Sequence, residues 1–289
     1  MTTIAEEKIT SSAIQQEAQF FGHPRGLSVL FFTEFWERFS FYGLRAILLL
    51  FMTAPAAASG MAFDTTTAGF IYGVYTSMAY LASVPGGWIA DHLIGQRKAI
   101  FYGGILIALG NLTLALHGMQ FLMLGLTFVV LGTGLLKPNV SAIVGGLYSQ
   151  NESARRDAGF SIFYMGINLG AFVAPLIVGG LGENVNWHWG FFASGIGMII
   201  GLIWFHLGTK HLGTAGEFQA TPEASAKAKR TLLIGAGGLI GIIALVAGLH
   251  FSGVMPMTVD ILKSVFNVGY VVIPGAFFAV FFADKTLTT

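Results

Sequence analysis

Glu34 to Arg45 read EFWERFSFYGLR, inside an apolar run from about 27 to 52 that is long enough to cross a bilayer as a helix. Glu34, Glu37, Arg38, Phe41, Tyr42 and Arg45 stand at i, i+3, i+4, i+7, i+8 and i+11. At 3.6 residues per turn these positions share one face, and Leu48, Leu49, Leu50 and Phe51 carry the apolar run onward. Ionisable groups within a membrane helix are costly unless they point into protein or a wet cavity and pair there. Two acids and two bases on one face can neutralise one another, which lets such a helix insert. The pattern reads as part of a pathway for a substrate or for protons.

The rest of the chain supports a membrane setting. Hydrophobic residues make up 54% of the 289 and charged ones 10%, against roughly 25% charged in a soluble domain. Apolar runs predict spans near 27–52, 66–90, 99–117, 120–147, 158–181, 187–208, 231–250 and 267–283. The connecting segments sort by their cations. Lys8, Arg25, Arg97, Lys98, Arg155, Arg156, Lys210, Lys227, Lys229, Arg230 and Lys285 fall on one side, and only Lys263 falls on the other. By the positive-inside rule this alternation places the N-terminus in the cytoplasm and predicts an even number of spans. There is no cysteine, and the first 25 residues lack the apolar core of a signal peptide.

Four further stretches carry chemistry. Tyr72, Tyr75 and Tyr80 lie in the second span; Tyr72 and Tyr75 suit interfacial anchoring, whereas Tyr80 lies deeper and can offer its hydroxyl to a cavity. GWIADHLIGQR (Gly87 to Arg97) is either an ordinary charged loop or a latch in which Asp91 and Arg97 pair across a glycine turn. GTGLLKPNVS (Gly132 to Ser141) buries Lys137 in the fourth span, where it must snorkel, lose its proton or find a carboxylate; Glu34 and Glu37 are the available partners. FYMGINLG (Phe163 to Gly170) sets Tyr164 and Asn168 four apart on one face, suited to an interhelical hydrogen bond or to substrate contact. Its Gly166 and Gly170 allow close helix approach. NWHWGFF (Asn186 to Phe192) reads as an interfacial aromatic belt, with His188 part of it.

These motifs carry a resemblance. E-x-x-E-R-F-x-x-Y, G-T-G-x-x-K-P-x-x-S and FYMGINLG resemble the signatures of the proton-dependent oligopeptide transporters, bacterial members of the major facilitator superfamily; GWIADHLIGQR resembles the superfamily's signature between its second and third helices. Phe41 stands where the family usually has a first tyrosine. The resemblance implies an all-α membrane protein. Its parts would be a cytoplasmic tail (1–26), the N-terminal six-helix bundle (27–208), a cytoplasmic linker (209–230) and an inserted transmembrane helix pair (231–289). It implies proton-coupled symport of di- and tripeptides by alternating access in the inner membrane. Proton coupling would fall to Glu34, Glu37, Arg38 and Lys137, and peptide binding to Arg38, Tyr42, Arg45, Tyr80, Tyr164 and Asn168. A C-terminal bundle is the expected partner, and the proton is the coupling ion in place of any cofactor or metal.

No G-x-S-x-G, P-loop or metal-ligand cluster gives enzymatic or nucleic-acid chemistry a foothold. Two other readings compete. The same fold and arginine pair suit nitrate or another small anion, and a non-transporting scaffold or receptor would use the charges only to hold helices together.

Overall fold

The computed structural model describes residues 20–253 together with Ile261, Ser264, Val268, Gly269 and Val272. The expected tail over 1–19 and nearly all of the expected span 267–283 lie outside the described residues. Among the described residues every regular element is a helix: α1 (Arg25–Thr53), α2 (Thr65–Leu81), α3 (Ser83–Ile89), α4 (Gln96–Leu114), α5 (Met119–Gly146), α6 (Ser153–Ala174), α7 (Gly180–Asn184), α8 (Trp187–Gly208) and α9 (Pro222–Phe251).

Two expected spans are interrupted, each at a proline. The second runs as α2, α3 and a π-helical turn over Ala90–Ile94. Pro85 has no N–H for the carbonyl of Leu81, where α2 ends. The fifth runs as α6, a π turn over Pro175–Gly179, and α7. Pro175 again removes the i→i−4 bond, and a wider turn takes its place. α9 begins at Pro222, so residues 222–230, expected within a linker, are helical; proline suits a first turn, whose N–H groups have no partner inside the helix. From Ala226 the chain forms a second unit, in which α9 runs on to Phe251 and the chain turns at Gly253.

Side-chain caps open two other helices. Asp64 Oδ1 accepts from the backbone N–H groups of Thr66 and Thr67, each at 3.0 Å, and opens α2. Asn186 accepts from the N–H of His188 at 2.9 Å and opens α8. Among the described residues three helical stretches are long and apolar enough to cross a bilayer: Met119–Gly146, Ser153–Asn184 and Trp187–Leu212. α1 has 29 residues, but its hydropathy is interrupted by its charges.

α1 lies inside the bundle, packed by α6 and α8. Leu27, Leu30, Ile107, Val140, Phe163 and Phe205 close one end of the core, and Leu44, Leu48, Phe51, Leu126, Val178 and Phe191 the other. Between helices in lipid the drive is close van der Waals contact, so small residues mark the seams. α4 and α5 run antiparallel with Gly103 against Gly132 and Gly110 against Gly125. A Cβ on any of the four would come within 2.5–2.8 Å of the opposing carbonyl. Pro138 frees the carbonyl of Gly134, and that oxygen lies 2.0 Å from where a Cβ on Gly86 would sit. Only glycine on α3 leaves room for the oxygen to meet a Cα–H group. One polar contact crosses this core, where Asn111 donates to the Ser40 hydroxyl at 3.1 Å.

At the end of the bundle that holds Arg155, His23 Nδ1 and the Tyr148 hydroxyl meet at 3.0 Å. Burial pushes the Tyr148 hydroxyl up to about 12, so it stays neutral. Burial, with the Arg155 charge, lowers the His23 pKa. Because folding favours the neutral imidazole, this contribution is complete above the unfolded value of about 6.5 and fades as pH falls through the lowered one. An NMR titration should therefore give His23 a midpoint below about 6.5, moving up in Arg155→Gln. In thermal unfolding, Gly132→Val should cost roughly 1–3 kcal/mol through overpacking against α4. Gly145→Ala, whose nearest neighbour is a Phe160 ring carbon at 3.9 Å, should stay within about 0.5 kcal/mol.

Candidate functional site

The charged face of α1 is buried. Glu37 is fully enclosed, Glu34 and Arg38 nearly so. Arg38 Nε lies 3.0 Å from Glu34 Oε1 and also donates to Glu37 Oε2, so one guanidinium holds two carboxylates. The helix repeat brings Glu34, four residues before Arg38, onto the same face, while Glu37 is its neighbour in the chain. Two α6 glycines seal the site. Gly170 presses on the Phe35 carbonyl and Arg38 Cβ, and Gly166 presses on Phe31. Not every polar atom is matched, however. Glu37 Oε1, Arg38 Nη2 and the Tyr75 hydroxyl are buried with no hydrogen-bond partner, and orphaned buried groups of this kind call for an explanation such as water or function.

The other two cations of the site rest on aromatic rings. Arg45 Cζ lies 5.6 Å from the centroid of Phe41, 5.9 Å from that of Tyr42 and 5.7 Å from that of Tyr72, and Arg45 Nε donates to the Tyr72 hydroxyl at 2.8 Å. Lys137 Nζ sits 4.1 Å from the centroid of Tyr80, a ring that is 53% exposed. All four distances fall within cation–π range. Phe41, standing where the family motif has a tyrosine, is buried with the guanidinium of Arg38 5.0 Å from its ring centroid. Tyr164 and Asn168 are exposed on α6. The helix contacts of Gly166 and Gly170 place them at the level of Phe31 to Arg38.

The structure thus brings Glu34, Glu37 and Arg38 into one cluster, Tyr42 against Arg45, and Lys137 against Tyr80. It corrects two expectations. The pairing of Lys137 with Glu34 or Glu37 is not formed, because Arg38 on the same helix takes both carboxylates and the Tyr80 ring takes the lysine. Nor do Asp91 and Arg97 pair. Gly95, at φ +83°, turns the chain so that Arg97 enters α4 facing residues 213–217. There its side chain donates to the carbonyls of Ala215 (2.8 Å) and Gly213 and reaches Glu217 at 3.3 Å; its own N–H donates to Gly216. Asp91 accepts from Gln96 instead, at 3.2 Å.

Sequence reading missed Tyr72 and Tyr75, taken as interfacial anchors. Tyr72 holds Arg45, and Tyr75 is buried with its ring centroid 6.5 Å from that of Tyr72. Their spacing with Tyr80, at i, i+3 and i+8, was the available signal, since it sets all three on one helix face.

Comparison with known proteins follows the same lines. The POT family model matches residues 97–237. The chain is 45% identical over 287 residues to the uncharacterized transporter YclF of Bacillus subtilis, covering 99% of this chain and 56% of the relative. It is 42% identical to a di-/tripeptide transporter of Lactococcus lactis subsp. cremoris, covering 93% and 54%. Among solved structures, a peptide transporter POT in complex with sulfate superposes at a TM-score of 0.84 with 45% identity, covering 93% of this chain and 54% of that one. A POT family transporter in complex with 5-aminolevulinic acid superposes at 0.82 with 40% identity, covering 92% and 55%. The chain spans about half the length of the curated relatives it matches. Its helices are those of an all-α major facilitator membrane protein, and the chain belongs to the POT family.

Proposed function

We propose that this chain is the N-terminal part of a proton-coupled symporter of di- and tripeptides that works by alternating access. The observation that carries the reading is the buried Glu34–Arg38–Glu37 cluster with one carboxylate oxygen and one guanidinium nitrogen unmatched. Relatives at 42–48% identity bear the names of peptide and di-/tripeptide transporters. Proton coupling and the roles of individual residues are our assignment. So are the bacterial inner membrane, the cytoplasmic N-terminus drawn from the lysine and arginine bias, and a C-terminal bundle as the other half of the site.

The charge arithmetic suits an anionic end group. Arg38, Arg45 and Lys137 against Glu34 and Glu37 leave one positive charge, and a protonated Glu37 leaves two. When Glu37 gains a proton, its bond to Arg38 weakens and the guanidinium fork becomes available for a peptide carboxylate. Loss of that proton on the cytoplasmic side restores the pair and releases the substrate. Lys137, held by a ring, is a second cation that the substrate can recruit, and Arg45 with Tyr42 a third. Tyr80, Tyr164 and Asn168 offer exposed polar groups for the peptide backbone. With no enzymatic motif and with relatives named as transporters, we assign no catalytic step.

In the full-length transporter, Glu37→Gln should abolish proton-driven accumulation of a dipeptide while leaving counterflow intact; accumulation against a gradient by this variant would remove Glu37 from the relay. Arg38→Lys should lower dipeptide affinity by calorimetry at least tenfold, or about 1.4 kcal/mol, and an unchanged affinity would refute the carboxylate role. Dipeptides should displace a bound peptide where nitrate does not; equal competition would favour the anion carrier. Cysteine labelling at position 137 should succeed in this cysteine-free chain, whereas a sealed position would favour a scaffold.

A further inference from the structure

At the end of the bundle opposite Arg97 and Arg155, two histidines from different segments face each other. His117, in the turn between α4 and α5, is exposed, and His188 is the second residue of α8. His117 Nδ1 and His188 Nε2 are 3.2 Å apart, with ring centroids at 5.3 Å. Beside the pair is a cavity of about 340 Å³ lined by Ala115, Asn186, His188, Trp189 and Phe192. Nothing in the transport reading uses either histidine.

We propose that this pair is a binding site for a borderline-soft divalent cation of the zinc class. Zinc–imidazole bonds are about 2.0–2.1 Å, so two nitrogens on one tetrahedral ion stand roughly 3.3 Å apart, close to the separation found here. The two nitrogens can approach an ion without rebuilding the backbone. The Nδ1 of His188 is enclosed with no hydrogen-bond partner, so Nε2, on the His117 side, is the nitrogen open to a metal. The N-cap bond from Asn186 and the ring contact with Phe51, at 5.8 Å between centroids, hold His188 in place. Without an ion the same gap accommodates one N–H···N bond, so proton and metal are alternative occupants. Two protein ligands and exposure of His117 leave the other coordination positions to water. A bound ion would tie the α4–α5 turn to the start of α8.

Calorimetry with Zn²⁺ on the purified, tag-free protein tests this directly. One Zn²⁺ per chain is expected, and His117→Gln should weaken it at least tenfold. His188→Gln should do the same, while Mg²⁺ should give no binding because it prefers oxygen ligands. Affinity should also fall as pH drops, because protons compete with the metal for the imidazole nitrogens. Absence of Zn²⁺ binding in the wild type, or binding of equal strength in His117→Gln, would overturn the proposal. His117 is exposed, so its variant decides the matter even if His188→Gln fails to fold.

Discussion

One guanidinium between two carboxylates, in a segment that lies in lipid, is the constraint to which the rest of this bundle answers. Bringing charges out of water costs several kcal/mol for each ion, and their mutual attraction returns this only when geometry and hydrogen bonding are good. Arg38 meets part of the requirement by bonding to Glu34 and Glu37 from the same helix. The rest comes from exclusion of lipid. α6 approaches α1 so closely at Gly166 and Gly170 that any side chain would collide with α1, and the ring of Phe41 lies against the Arg38 guanidinium. A larger residue at position 170 would prise the helices apart over the ions themselves.

The same logic governs the helices that do not touch the ions. Leucine gains little by facing leucine when lipid is equally apolar, so affinity between spans depends on how near the backbones come. Gly103 on Gly132 and Gly110 on Gly125 give α4 and α5 that approach along their length. At Gly86 and Gly134 a proline defect is turned to use. Pro138 leaves a carbonyl without its helical donor, and the bare α-carbon of Gly86 packs on it. The seam therefore depends on sequence features that would weaken a helix in water.

Much of this was legible beforehand because its cause is local. The 3.6-residue repeat alone put Glu34, Glu37 and Arg38 on one face, and their bonds lie within one turn. Six apolar runs marked six helical stretches to within about five residues, except where Pro85 and Pro175 broke them into shorter pieces. What escaped was partner choice over distance. Arg97 was expected to meet Asp91, six residues away, but its acceptors include the carbonyl of Ala215, 118 residues away. No pattern near Arg97 marks them, because backbone carbonyls carry no sequence signature. Lys137 was assigned to carboxylates as the nearest charges of opposite sign, whereas a ring on the neighbouring helix satisfied it first. Tyr72 and Tyr75 were read by residue type rather than by the face they share.

That difference in partners sorts the three cations by how readily each can be taken. Arg38 is held by one charge-assisted hydrogen bond to Glu37 and an ion pair with Glu34 in a sealed setting, and separating it from both acids would strand buried charge. Lys137 rests on one half-exposed ring, a contact worth roughly 0.5–2 kcal/mol. Arg45 adds to its rings one hydrogen bond from its charged guanidinium to the neutral Tyr72 hydroxyl, worth roughly 1.5–3 kcal/mol. A carboxylate arriving from solution offers Lys137 and Arg45 a stronger contact than the rings do. It offers Arg38 no advantage while both acids are ionised, and an advantage once one is neutral. The aromatic residues therefore keep two cations in place yet available, and the acids keep the third conditional on a proton. A bundle with carboxylates opposite all three would be more stable and could respond to nothing.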